Sequence, residues 1–268
     1  MVKGLYTAHT GMVNEMKRLD VLANNLANAD TTAYKKEGTT SRTFADEMSY
    51  RLKDTSYLRG MPKKLGEITY GVHLGQVYTD YDSGSFKVTD NTTDFAIDGK
   101  GFFAIAFTDK QGNTSVKYTR DGSFTVNTDG YLVTKDGDYV LNATGAMNGD
   151  PDPRNRIQVD PNATISVNQL GYIMQNDQVV GTLGIVDIDN YDYLEKYGEN
   201  LYNLLDGGNR IATDAKVEQG VLETSNVNVV KEMVNMITIQ RAYEAGQKVI
   251  TSIDSTLDRA VNNVGRVQ

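Results

Sequence analysis

The sequence contains no cysteine and no tryptophan. Disulfides, thiolate metal sites and cysteine nucleophiles are therefore excluded. Only two histidines are present, His9 and His73. A shared metal site or Ser-His-Asp arrangement would need folding to bring them together, so each reads as a surface or interface residue. No stretch approaches the length of a membrane span. The first thirty residues carry Glu15, Lys17, Arg18 and Asp20 and no unbroken apolar run, so no secretory signal is visible. What remains is a chain of 268 residues, long enough for one large domain or two modest ones around a real core.

Charge is placed unevenly. The net charge is −8, yet residues 65–220 alone hold 11 basic and 23 acidic groups, a net of −12. Residues 51–64 carry five basic groups and one acidic; residues 221–268 carry five of each. Nearly neutral ends can crowd against copies of themselves, while an acidic middle prefers water and repels its like. Nucleic acid is not an expected partner.

Val229, Met236, Tyr243, Ile250, Leu257 and Val264 recur every seven residues, with Ile239, Gly246, Ile253 and Ala260 three residues after four of them. On a helix this spacing draws one narrow apolar seam. Ser225, Asn226 and Asn228 are candidate N-caps, and Glu232 falls in the first turn, where the helix dipole favours an anion. The pattern predicts one helix of about 36 residues within 225–267, roughly 50 Å long. At the other end, Leu5, Met12, Leu19 and Leu26 form a second heptad series, with Met16 and Ala23 four residues after two of them. That helix should end near Asn28, at the breaker Asp30-Thr31-Thr32. Two seamed terminal helices suggest an antiparallel hairpin closed by the chain's ends. Asn24, Asn25, Asn28, Gln240, Gln247, Asn262 and Asn263 keep the opposite faces polar but uncharged. That suits either a bundle in solvent or a helix lining a water-filled bore.

Between the ends, residues 36–75 show no clear period. Arg51, Lys53, Arg59, Lys63 and Lys64 make this stretch basic, and Gly60-Met61-Pro62 breaks any long helix. A solvated linker and an extended arm laid on acidic neighbours both fit. From Gln76 onward the chain reads as short strands, including Phe95–Ile97, Phe102–Phe107, Phe124–Val126, Tyr131–Val133, Ile165–Val167 and Val179–Val186. Asp98-Gly99, Asp121-Gly122, Asp129-Gly130 and Asp136-Gly137 are hairpin-turn signals. The expectation is an antiparallel β-domain, barrel-like or sandwiched, over about 76–220.

Asn24-Asn25-Leu26-Ala27-Asn28-Ala29-Asp30-Thr31-Thr32-Ala33-Tyr34-Lys35 closely resembles the amino-terminal signature of bacterial flagellar rod and hook proteins. Glu223 to Val229, Val234 to Ile237 and Gln240 to Glu244 resemble the carboxyl-terminal signature of the same family. Tyr118 to Phe124 with Asp129 to Val133 resembles its β-domain. One departure is Ala33, where the family usually has glycine; if that position needs φ > 0, alanine is strained. The resemblance favours the inter-subunit arm for 36–75. It implies a structural axial protein of the flagellar basal-body rod, distal-rod-like, that self-assembles into a helical tube and transmits torque. It further implies neighbouring rod and hook proteins as partners and export through the flagellar export apparatus without a cleaved signal peptide. That would place the protein in the basal body, outside the cytoplasmic membrane.

The chemical alternatives are weaker. Gly99-Lys100-Gly101-Phe102-Phe103-Ala104 matches a dinucleotide fingerprint, but strand-forming aromatics follow where a helix must begin. Asp187-Ile188-Asp189-Asn190-Tyr191-Asp192 starts like a calcium loop but lacks the ligand and glycine that the fifth and sixth positions need. No carboxylate pair stands out for glycan cleavage. A hook protein would need a further outer domain, and a coiled-coil adhesin would lack both terminal signatures. The fold class expected is α+β: terminal helices in a coiled-coil-like bundle (1–35 and 221–268), a basic inter-subunit arm (36–75) and a central all-β antiparallel domain (76–220). The candidate subunit-interface residues are Leu5, Met12, Met16, Leu19, Leu26, Asn24, Asn25, Asn28, Tyr34, Val229, Met236, Ile239, Tyr243, Ile250, Ile253, Leu257 and Val264. No enzyme activity, cofactor or small-molecule substrate is expected.

Overall fold

A computed structural model describes residues 2–51, 63–198 and 200–264. Lys53, Arg59, the Gly60-Met61-Pro62 break and the expected helix end at Val267 lie outside the described residues. So do the side chains of Arg51, Lys63, Lys64, Asn263 and Val264. The chain divides into two compact units: Met1–Ala27, Lys36–Asp80 and Asn228–Gln268 form the first, and Asn28–Lys35 with Tyr81–Val227 the second. The grouping puts Asn28–Lys35 with the β-rich unit and the arm segment with the terminal helices.

In the first unit, α1 spans Val2–Ala27. It ends one residue before the predicted stop. Four strands follow: β1 (Glu37–Thr43), β2 (Glu47–Arg51), β3 (Lys63–Ile68) and β4 (Val72–Thr79). β1 pairs antiparallel with β4 from Glu37↔Thr79 to Thr43↔Val72, and β2 pairs with β3 from Glu47↔Ile68 to Arg51↔Lys63. The described part of the aperiodic segment is thus ribbon-like, two antiparallel strand pairs, β1 with β4 and β2 with β3. Its strands escaped the period-2 test because most of β1 and β4 is solvent-exposed on both faces, so no apolar alternation is written into them. A two-stranded ribbon is marginal by itself, and its base is held by α1, as described below.

In the second unit the chain runs through β5 (Phe86–Val88), β6 (Phe95–Asp98), β7 (Phe102–Thr108), β8 (Thr114–Thr119), β9 (Thr125–Val126), β10 (Leu132–Val133) and β11 (Tyr139–Val140). A short helix α2 (Ala143–Asn148) precedes β12 (Ser166–Val167), β13 (Tyr172–Gln175), β14 (Gln178–Thr182) and β15 (Ile185–Ile188). The unit closes with β16 (Leu194–Gly198), β17 (Leu201–Leu204), β18 (Arg210–Ile211), β19 (Lys216–Gln219) and β20 (Val221–Glu223).

β7 is the spine of a nine-stranded sheet, pairing with β8 along one edge and with β15 and β11 along the other. Its near-unbroken apolar run is explained by cover on both faces. Phe103 and Ile105 face a core with Phe95, Phe124 and Leu132, whereas Phe102, Ala104 and Ala106 face a second core with Tyr118, Val186 and Tyr202. The unit's two ends are zipped together, β5 to β20 and β6 to β19.

The four Asp-Gly signals divide evenly. Asp129-Gly130 and Asp136-Gly137 join paired strands, β9 to β10 and β10 to β11. Asp98-Gly99 and Asp121-Gly122 link strands that do not pair with each other; β6 takes β19 instead. Asp-Gly encodes a tight turn, not the partner of the strand leaving it. Gly122 is required by backbone approach: a Cβ there would lie 1.7 Å from the Phe95 carbonyl oxygen, while Phe95 N donates to Gly122 O at 3.0 Å.

The last helix, α3, spans Val229–Arg259, shorter than expected, and continues as a π-helical turn to Val264. Asn228 is its N-cap, its side chain accepting from Lys231 N at 3.0 Å. Gly122→Ala should cost the upper end of the ~1–3 kcal/mol typical of overpacking. Gly11→Ala in α1, where a Cβ meets nothing within 4 Å, should stabilise by up to ~1 kcal/mol through helix propensity. Urea unfolding of both variants checks the contrast.

Candidate assembly interface

α1 has two working faces. Along one it runs antiparallel to α3: Ile253 Cδ1 stands 3.8 Å from where a Cβ on Gly4 would sit, and Met12 Cγ stands 2.7 Å from where one on Gly246 would sit. Gly246 therefore occupies a seam position where the Met12 side chain fills the space a Cβ would need. Along the other face two buried asparagines hold the ribbon. Asn25 Nδ2 donates to Glu37 O at 2.8 Å, and its Oδ1 accepts from Glu37 N at 2.9 Å. Asn14 Nδ2 donates to Ser41 Oγ at 3.1 Å. The two lie three turns apart on one side of the helix. Asn25 is thus a buried clamp and not part of a polar outer face, and Asn14 carried no sequence signal at all.

Of the seam positions, Leu5, Met12, Leu19, Leu26, Met236, Ile250 and Ile253 are half-buried and Ile239 is buried. Met16, Val229, Tyr243 and Leu257 are exposed. The side chain of Val264 is not described. A second stripe was missed. Val230 (72% exposed), Met233, Val234 (58%) and Ile237 (49%) occupy positions i, i+3, i+4 and i+7 of α3 on an open face. Its signal was the run of apolar doublets Val229-Val230, Met233-Val234 and Met236-Ile237, of which the seam uses only Val229 and Met236.

The remaining motif residues sit in the β-rich unit. Asn28 Oδ1 accepts from Thr31 Oγ1 at 3.3 Å. Ala33 has φ 56° and is buried, so the strain expected of alanine at this position is present. Tyr34 is buried beneath Lys196, whose Nζ lies 4.5 Å from the ring centroid. Next to it, Lys35 Nζ donates to Glu223 Oε1 at 2.6 Å with both side chains 0% exposed, and to Asp82 O at 2.9 Å. Glu223 Oε1 also accepts from Gly84 N at 2.9 Å, and its Oε2 lies 3.4 Å from Arg120 Nη1. Arg120 donates further to Ile97 O and Gly99 O and stands over the Phe102 ring. Each of the three stretches that carry the family resemblance supplies one charge to this cluster. Its chemistry is structural: every charged atom faces protein.

The other candidate sites are occupied by local bonds. Gly99 and Gly101 lead into β7, not a helix. Asp187 Oδ1 accepts from Tyr191 OH at 2.8 Å. His73 stacks on Phe44, 4.8 Å between ring centroids.

Comparison with known proteins agrees with this arrangement. The family described as flagella basal body rod protein matches residues 5–35, the flagellar hook protein FlgE/F/G D1 domain matches 96–175, and the flagellar basal body rod FlgEFG protein C-terminal family matches 218–263. The chain is 33% identical over 269 residues to flagellar basal-body rod protein FlgF of Caulobacter vibrioides, covering 100% of both. It is 32% identical over 274 residues to flagellar basal-body rod protein FlgG of Bacillus subtilis, covering 98% of this chain and 99% of the relative. It is 29% identical over 283 residues to the flagellar hook-basal body complex protein FlhO of Bacillus subtilis, covering 100% of both.

Removing one partner of a buried ion pair leaves an uncompensated charge, so Lys35→Met should cost about 3–5 kcal/mol, and Glu223→Leu, which strands two cations, at least as much. An unchanged urea midpoint for Lys35→Met would show that the pair does not close the unit. The phenol of Tyr202 is raised above its ordinary value, first by burial and then by Tyr81 and Tyr34, against Arg120. Below about pH 10 both folded and unfolded states keep this proton; above it the unfolded state loses it first, so stability falls as pH rises. Circular dichroism should show Tyr202→Phe moving the alkaline unfolding midpoint to higher pH.

Proposed function

Since this chain belongs to the flagellar basal-body rod protein family and is a structural component of the bacterial flagellum, we propose that copies of it assemble into the rod through their terminal helices. The observation that carries this reading is the open apolar stripe Val230, Met233, Val234 and Ile237. Within the chain α3 packs against α1 along its seam, and this stripe is left to water. Burying half of four such side chains is worth roughly 3–6 kcal/mol at ~1.5–3 kcal/mol per fully buried residue. Repeated at every subunit, a contact of that size supports a polymer without fixing an isolated pair.

Heterologous contacts that do not close into a ring generate helical filaments. Under this reading the terminal helices of many copies form a tube, and the strand pairs β1–β4 and β2–β3 lie against adjacent copies. Met16, Val229, Tyr243 and Leu257, the exposed seam positions, join the stripe in the contact. The function is mechanical, transmitting torque through a rigid polymer alongside other rod and hook proteins. The flagellar export apparatus delivers the chain to a position outside the cytoplasmic membrane. Relatives named FlgF and FlgG match at 33% and 32%, so identity does not rank one rod position above the other.

Val234→Asp tests the stripe. An exposed substitution leaves monomer stability within about 0.5 kcal/mol, while a carboxylate in a packed contact blocks assembly. Sedimentation of purified full-length chain and electron microscopy of basal bodies should show a folded monomer and no rod. Normal rods built from the variant would overturn the assignment.

A further inference from the structure

Beside the stripe, α1, α3 and the base of the ribbon enclose a cavity of about 390 Å³. Val21, Leu22, Tyr78, Ile239 and Ala242 supply apolar wall, and Glu232 lines it with only 7% of its surface open. Among the described residues the Glu232 carboxylate has no hydrogen-bond or ion-pair partner. The cations nearest to hand are committed: Arg18 Nη1 reaches both oxygens of Glu15 at 3.0 Å, and Lys36 Nζ reaches Asp80 at 3.1 Å. Lys231, also on the lining, is exposed. The residue is largely buried and its carboxylate is without a counter-charge at the cavity wall, where an entering cation would find an acceptor already in place.

We infer that this cavity receives the cationic side chain of a lysine or arginine from a second copy of the chain, its head pairing with Glu232 and its methylene stem covering the apolar wall. The shape suits that chemistry, because long basic side chains bury the stem and present the charge at its end. The choice of a second copy rests on the assembly reading above. Val234 on the open stripe is one helical turn from Thr238 on the cavity wall, and side chains so spaced are neighbours. A copy laid along the stripe therefore brings its own side chains to the cavity mouth. The pairing sets register: the stripe alone is a smooth apolar contact, and a single charge in a slot admits one offset.

The inference makes opposite demands on monomer and polymer. Glu232→Gln removes a lone buried charge without changing shape, so the purified monomer should unfold at an unchanged or higher urea midpoint. The same variant should raise the concentration needed for polymerisation about tenfold or more, and Glu232→Lys should abolish polymerisation. Agmatine, a free alkylguanidinium, should compete with wild-type assembly and have no effect on Glu232→Gln. If Glu232→Gln polymerises like wild type while Val234→Asp does not, the cavity assignment fails and the assembly reading stands. If the wild-type chain does not polymerise, both fail. A Glu232→Gln monomer that unfolds more easily would show a partner within the chain and overturn the inference. Agmatine binding to the dilute monomer with no effect on assembly would place a free amine in the slot and overturn the second copy as its source.

Discussion

The β-rich unit depends on one interaction, the buried contact of Lys35 with Glu223, to which Arg120 is added. These residues come from positions separated by about 90 and 190 along the chain, so the cluster exists only when the unit is closed. Lys35, Asp82 and Glu223 lie just inside the unit at three of the four points where the chain enters or leaves it. Charges out of water cost several kcal/mol each unless paired and hydrogen-bonded. That makes the cluster a poor contributor to raw stability and a strict arbiter of arrangement. The zipping of β5 to β20 and of β6 to β19 brings Glu223 to the place where Lys35 and Arg120 can meet it.

The helical unit is governed by a different constraint. A single helix, α1, must satisfy α3 along one face and the ribbon along another. The first task falls to a heptad seam that narrows at Gly246, and the second to Asn14 and Asn25, whose amides pair with the ribbon strand β1. Asparagine suits the second because its donor and acceptor match one backbone N–H and C=O together. Among the described residues α3 has no second partner comparable to α1. Its first turns keep an apolar stripe open to water and, on the cavity wall, the carboxylate of Glu232 without a counter-charge among the described residues. The proposed assembly gives that surplus a use, since a subunit complete in itself has no drive to polymerise.

Heptad spacing was enough to locate both terminal helices, because a period sustained over many turns averages out local noise. Several apolar strands of the β-rich unit, β7 above all, were legible as short runs of β-branched and aromatic residues, and the strain at Ala33 was legible from its departure from the family signature. The ribbon was not legible, since strands open on both faces carry no alternation to detect. Strand partners were half legible: Asp129-Gly130 and Asp136-Gly137 do join paired strands, but elsewhere packing decides which edge a strand takes, as β6 shows by leaving β7 for β19.

Local periodicity, capping and turn chemistry are written in neighbouring residues, and with composition they determined the two helices, the places of β6, β7, β9, β10, β12, β14 and β15, and the acidic character of the middle. Which apolar face of α3 meets α1, that Asn25 is a clamp and not a surface residue, and that Lys35, Arg120 and Glu223 converge were decided only in three dimensions. These depend on residues tens to hundreds of positions apart, and no spacing along a chain encodes the distance between segments that folding brings together.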